Sequence, residues 1–185
     1  MRTVTVSWDK QQERFVALGT HRGREIIVNA PGEPDSGRAP TGFSATELLL
    51  AGAGACAAWD VVEILRKRRA QGSSLTVAVD GDQQQDPPWT YQRVALHFRV
   101  ECQDMHLPVL ARVIRLSMVR YCSVITTLSG VAGIEATVEL VKADGSTSGR
   151  QPIELAIPAV PPATVAAKDA AALGLAEPAV DEDEE

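Results

Sequence analysis

The sequence predicts an α+β fold, on three observations. Short runs in which apolar and polar residues alternate lie at both ends of the first 144 residues. Between them sits a long apolar run opened by a helix-capping signature. The elements never settle into a repeating strand–helix–strand unit. The expected order is three strands, a long helix, two strands, two helices and a closing strand.

Thr3-Val-Thr-Val-Ser-Trp8 alternates at the two-residue period of a strand, and Arg14-Phe-Val-Ala-Leu18 is its hairpin partner. Glu25-Ile-Ile-Val-Asn29 makes a third strand after the turn His21-Arg22-Gly23-Arg24. Residues 30–43 hold Pro31, Gly32, Pro34, Gly37, Pro40 and Gly42, and read as a loop. Ser44-Ala-Thr-Glu47 is a capping box. The Ser hydroxyl accepts from the backbone N–H of Glu47, whose carboxylate reaches back to the N–H of Ser44. The helix opened there is expected to run to about Ala70. Arg66-Lys-Arg-Arg69 complements the negative end of its dipole, and Gly72 closes it. Its first half is apolar nearly all round, which predicts burial on every side.

Ser74-Leu-Thr-Val-Ala-Val79 and Arg93-Val-Ala-Leu-His-Phe-Arg-Val100 are the next strands, separated by an acidic loop at Asp86-Pro-Pro88. Pro108 suits the first position of a second helix beginning at Leu107. Val109, Val113, Leu116 and Met118 mark its buried side, with Arg112 and Arg115 on the other. A short helix follows Cys122 and ends near Ser129-Gly130, and Ile134-Glu-Ala-Thr-Val-Glu-Leu140 is the closing strand. From Gly145 on, Pro, Ala, Gly and Ser dominate and the chain ends in Asp-Glu-Asp-Glu-Glu. Residues 1–144 therefore read as the folded domain. Residues 145–185 read as a disordered acidic tail, with a short Ala-rich helix over 164–175 as an option.

At 185 residues and 45% hydrophobic composition, one domain has enough apolar material for a core, filled by aliphatic residues because aromatics are 4%. The net charge of −6 belongs to the tail. Residues 1–144 hold 16 basic and 16 acidic residues, and residues 145–185 hold 2 and 8. A neutral body argues against a nucleic-acid partner, and the basic run at 66–69, with no aromatic interleaved, reads as a solvated helix end. The apolar run stops at Asp60 and Glu63, short of the roughly 18 residues of a membrane span, so no membrane partner is expected. No signal-peptide core opens the chain, and a cytoplasmic location is the default expectation. Three cysteines without a CxxC spacing resemble neither a secreted disulfide framework nor a zinc site.

Two of those cysteines sit in unusual settings. Cys56 lies in a helix of small residues, Ala51-Gly-Ala-Gly-Ala55, which leaves room for another backbone or a ligand. Cys122 lies where one helix ends and another begins, and a helix N-terminus favours a thiolate. Each also has a bland reading, since a free cysteine is most often a small hydrophobe. Cys102, at the end of a strand, is read as a bystander. His21, His97 and His106 are scattered, and His97 reads as an outward-facing strand residue. No Cys–His hydrolase arrangement is indicated. Trp8, Trp59 and Trp89 read as core or interface packing.

The run from Thr46 through Cys56 to Lys67 resembles the central-helix signature of the OsmC/Ohr family of osmotically inducible and organic-hydroperoxide-resistance proteins. Leu116-Ser-Met-Val-Arg-Tyr-Cys-Ser-Val124 resembles the family's second cysteine motif. The wording is nearest the YhfA-like branch. The resemblance covers roughly residues 1–142. It implies two antiparallel sheets around a long central helix, in an intertwined homodimer with active sites at the subunit interface. It implies thiol peroxidase chemistry on organic hydroperoxides, with no metal, flavin or other cofactor. Cys56 would become a sulfenic acid and Cys122 would condense with it to a disulfide. An external dithiol, in one branch protein-bound dihydrolipoamide, would reduce that bond.

In the peroxidase branches a Glu lies ten residues before the reactive cysteine and pairs with an activating Arg. Here that position is Thr46 and the carboxylate falls at Glu47, about 100° further round the helix. Glu47 is therefore read as the capping residue. Arg38 is the first choice for the activating Arg, with Arg22 and Arg24 behind it. The displaced Glu keeps a second reading open, a redox-sensing or stress-associated protein without efficient turnover. A hydrophobic-ligand scaffold with inert cysteines is the third.

Overall fold

The structure is a computed structural model, and it describes residues 3–12, 14–19, 23–29, 42–68, 70 and 74–157. Arg22, Arg38, Gly72 and residues 158–185 lie outside them. Strands β1 (Val4–Asp9), β2 (Arg14–Gly19), β3 (Arg24–Asn29) and β4 (Phe43–Ser44) form one four-stranded sheet in that order. Strands β5 (Ser74–Gln83), β6 (Tyr91–Glu101), β7 (Gly133–Val141) and β8 (Gln151–Pro152) form the other. The fold is α+β, as expected, but neither sheet is purely antiparallel. β3 pairs with β4 in parallel, and so does β6 with β7. A parallel neighbour cannot be reached through a tight hairpin and demands a long crossover. Between β6 and β7 that crossover is helical: α2 (Leu107–Leu116), a π-helical turn (Ser117–Tyr121) and α3 (Ser123–Leu128).

Helix α1 (Ala45–Lys67) starts as the capping box dictates. The Glu47 N–H donates to the Ser44 hydroxyl at 3.2 Å, and the Ser44 N–H donates to the Glu47 carboxylate at 2.7 Å. The helix stops at Lys67, three residues before the expected end, with Arg68 as its C-cap. One stripe of it is buried: Ala53, Gly54, Ala57, Val61 and Leu65. Gly54 permits that contact, because a Cβ there would come 2.8 Å from a Val79 methyl on β5. The opposite side is open, with Leu49, Trp59 and Val62 between 41% and 67% exposed. Burial on every side is therefore not met within one chain, since the second sheet covers only one face. By length and composition alone α1 could cross a membrane, at a mean hydropathy of 1.7 over an 18-residue window. That corrects the shorter span expected from Asp60 and Glu63. In the fold the helix lies across β5.

The second sheet alternates cleanly. Val94, Leu96, Phe98 and Val100 of β6 and Ala136, Val138 and Leu140 of β7 point into the core. The other face carries charge pairs, Arg93 with Asp82 and Glu135 and Arg99 with Glu139. His97 sits on that outer face, its Nδ1 2.9 Å from the Thr137 hydroxyl. The first sheet also alternates, but its apolar face is uncovered. By register Val4, Val6, Trp8, Phe15, Ile26 and Phe43 share one side, and all are 38–63% exposed. Trp8, Trp59 and Trp89 are each at least half exposed, so none is a core residue of the single chain.

Two further expectations are corrected. Leu116 is 40% exposed, because the buried stripe runs through Leu110, Val113, Ile114, Ser117 and Met118, and Leu116 lies more than about 100° round the helix from its centre. Residues 145–157 belong to the folded body. β8 pairs with β7, the Ile153 N–H donates to the Ala136 carbonyl at 2.9 Å, and Ile153 is buried. The alternation Ile153, Leu155, Ile157 is a strand-like signal that the neighbouring prolines hide. Replacing Ile153 by Ala is expected to cost about 2 kcal/mol or more in urea unfolding at unchanged m-value. A loss below about 0.5 kcal/mol, the range of an ordinary surface substitution, would show that this segment is not part of the core.

Candidate active site

The crossover returns the chain over the second sheet and lays the π turn and α3 against α1. It thereby brings together two cysteines far apart in sequence. The Cys122 thiol lies close enough to Cys56 for each to act electrostatically on the other. Both are free thiols. Cys56 is half-buried at the start of the fourth turn of α1, whereas Cys122 is 1% exposed.

The backbone around Cys122 explains its placement. Its N–H donates to the Ser117 carbonyl at 2.9 Å, five residues back, which closes a π-type turn. Such a turn holds one more residue than an α-helical turn and is enriched at functional sites. Cys122 then leaves helical geometry at φ −79°, ψ 99° and caps α3, with its sulfur accepting from the Ile125 N–H at 3.4 Å. Ser117 anchors the turn. It is fully buried, and its hydroxyl lies 2.8 Å from the Ala57 carbonyl and 3.3 Å from the Asp60 carboxylate. Ala57 follows Cys56 directly, so this polar latch ties the turn carrying one thiol to the turn carrying the other. Sequence reasoning missed both latch residues. Their only signal was a serine flanked by Leu116 and Met118, and an acid closing a small-residue helical run.

Burial pushes the Cys122 thiol up to about 12, and the neighbouring Cys56, with the charge it can carry, pushes the same way. The backbone N–H groups of Ile125 and Val124 oppose the shift and lose. The expectation that a helix start lowers this thiol's pKa is thus overturned. α3 is six residues long, and a helix terminus contributes only about 0.3–1 kcal/mol, less than the cost of burying an anion. Cys122 therefore keeps its proton at neutral pH.

The other expected site residues lie elsewhere. Glu47 is spent on the cap: the Ser44 N–H and hydroxyl, at 2.7 and 2.9 Å, hold its carboxyl below the usual range. It sits nine residues before Cys56, about 13 Å along the helix axis. The Thr46 hydroxyl lies 3.1 Å from that of Ser44, and its carbonyl accepts from the Tyr91 phenol at 3.1 Å. Neither is joined to the thiol pair. Arg38 and Arg22 fall outside the described residues, and Arg24 opens β3. Cys102 is buried at the end of β6, where its N–H donates to the Val141 carbonyl at 3.1 Å. Lys142 clamps the loop that follows, donating to the carbonyls of Cys102, Gln103 and Met105 at 2.6–3.1 Å.

Comparison with known proteins bears on the family and the fold. A family model described as OsmC-like protein matches residues 35–139. Protein YhfA of Escherichia coli K12 is 34% identical over 100 residues, spanning 54% of this chain and 75% of that protein. An OsmC-like protein from Mycoplasma pneumoniae superposes with a TM-score of 0.63 at 19% identity, over 76% of this chain and 97% of the other. The organic hydroperoxide resistance protein OhrB of Bacillus subtilis does so at 0.51 and 12% identity, over 75% and 97%. Those two structural likenesses concern the fold.

A thiol whose folded pKa is raised contributes stability that is complete below its unfolded value and is lost as pH rises through the folded one. For Cys122 that window runs from about 9 to about 12. The unfolding free energy of the native protein is expected to fall more steeply across it than that of Cys122→Ala. Parallel pH profiles for the two proteins would contradict the burial argument.

Proposed function

This chain belongs to the OsmC-like family, and on that footing we propose that it is a thiol-dependent peroxidase that reduces organic hydroperoxides. The observation that carries the proposal is that the crossover sets the Cys122 thiol beside Cys56, two free thiols within electrostatic reach of each other. Cys56, the more accessible of the two, attacks the terminal oxygen of the hydroperoxide as its thiolate. The O–O bond breaks, the alkoxide takes a proton and leaves as the alcohol, and Cys56 becomes a sulfenic acid. The Cys122 sulfur then attacks the Cys56 sulfur. The hydroxyl departs with the Cys122 proton as water, and a disulfide joins the two. An external dithiol, with a lipoylated protein as one source, reduces that disulfide and resets both thiols. The chemistry calls on no metal or organic cofactor.

We assign the working unit as a homodimer. The open side of α1 and the bare apolar side of the first sheet are contiguous hydrophobic surfaces of the kind monomers rarely leave in water. A second copy covers both without a new sequence element. Sedimentation at micromolar concentration is expected to give twice the 19.8 kDa chain mass, and a single 19.8 kDa species would exclude the assignment.

A second reading is supported by Glu47. With its carboxylate committed to the helix cap, it is not free to orient an activating arginine at Cys56. On that reading the same disulfide forms but turnover is slow, as suits a redox-sensing or stress-associated protein. Peroxide consumption with cumene hydroperoxide and dithiothreitol separates the two. Sustained turnover is the result expected of the peroxidase, and one oxidation per site without turnover that of the sensor. Cys56→Ser should abolish consumption, and Cys102→Ser should leave it unchanged. Cys122→Ser should allow one oxidation per site and then over-oxidation of Cys56 to the sulfinic acid, since nothing traps the sulfenate. Full activity in Cys56→Ser would overturn the assignment.

A further inference from the structure

A cleft of about 740 Å³ lies on the outer side of the crossover, away from the second sheet's core, between α2, the π turn and the segment after β8. Its apolar surface comes from Leu116, Val119 and Ile153, and its rim carries Arg112, Arg115 and Arg120 against the single acid Glu154. Among the described residues Arg112 and Arg115 enter no ion pair. Arg120 stacks over the Tyr121 ring at 6.0 Å. A concave apolar surface with uncompensated guanidinium groups is built to take an anionic partner that also brings apolar side chains.

We propose that the occupant is this chain's own C-terminal segment, residues 158–185. Three observations point to it. The cleft wall includes Ile153 and Glu154, and Leu155 and Ile157 still pack on the core, so the segment departs from the edge of the cleft. It carries seven acidic residues and one lysine, and five of the acids are the last five residues, Asp181 to Glu185. The rest of the chain is neutral overall, so this segment carries the whole net charge of −6. Ahead of them Val165, Leu173 and Leu175 supply apolar side chains. The 23 residues from Pro158 to Val180 span about 35 Å even as a helix, enough to return over the cleft. Being tethered, the contact needs little intrinsic affinity, because a short linker sets an effective concentration in the millimolar range. Exposed charges carry the contact, so salt weakens it. This surface is independent of the peroxidase reading and stands or falls apart from it.

Hydrogen exchange read by mass spectrometry on the full chain tests it. Amides of residues 107–121 are expected to exchange roughly three-fold or more slowly in the native chain at low salt than in a full-length chain with residues 181–185 neutralised to Asn and Gln. The difference should vanish in 0.5 M salt, where the Debye length is only a few ångströms. The pair Arg112→Glu and Arg115→Glu should lose the protection as well. Combining that pair with lysines at 181–185 should restore it, which separates docking from damage to the fold. Equal exchange in the native and neutralised chains would overturn the proposal. Protection that grows with protein concentration would overturn the intrachain assignment in favour of the segment of a second copy.

Discussion

Two neighbouring strands that run the same way cannot be joined by a turn. β6 and β7 are such a pair, and the constraint organises the rest of the molecule. The chain must leave the end of β6, cross the sheet and re-enter at the start of β7, and it does so in 31 residues, numbered 102–132. Those residues contain α2, the π turn and α3, which become the cover of the sheet on the side where α1 lies. Cys122 sits about two-thirds of the way along the crossover, so the strand pairing itself delivers a second thiol to the helix carrying the first. The π turn and the Ser117 latch adjust the last few ångströms.

Much of this was legible in the sequence wherever the cause was local. The capping box at Ser44 and Glu47, the alternation of β1 to β3 and of β6, and Pro108 at the start of α2 all rest on interactions within a few residues. The two cysteine motifs were legible as a resemblance, and the family follows. The parallel pairings were not legible, because they depend on which distant strands become neighbours. The π turn was hidden because Ser117 to Tyr121 carries ordinary helical residues, and only the path to Cys122 requires the extra one. The pKa of Cys122 failed for a physical reason. A helix-start argument counts the dipole of one short helix, whereas the residue is buried behind Met118, Ile125 and α1. β8 was missed because Pro152 and Pro158 disguise an alternating apolar run as a tail.

The same geometry separates what one chain builds from what it leaves open. The second sheet, α1 and the crossover close one core around Phe98, Leu110, Ile114 and Met118. The first sheet adds a meander whose apolar face stays exposed among the described residues. In the proposed dimer that face would be covered by the second copy, and the exposed small residues Ala51, Gly52 and Ala55 of α1 would allow a close approach there. Cys56, half-buried in the single chain, lies on the helix that this association would cover.

The account rests on one claim, that Cys122 is the partner of Cys56 in chemistry as it is in space. Treating the reduced protein with one equivalent of cumene hydroperoxide, digesting it without reductant and mapping the peptides by mass spectrometry tests this directly. The account predicts a single disulfide-linked species joining the peptides that contain Cys56 and Cys122 of the same chain. A disulfide containing Cys102, or a Cys56 sulfinic acid formed while Cys122 remains a free thiol, would contradict it.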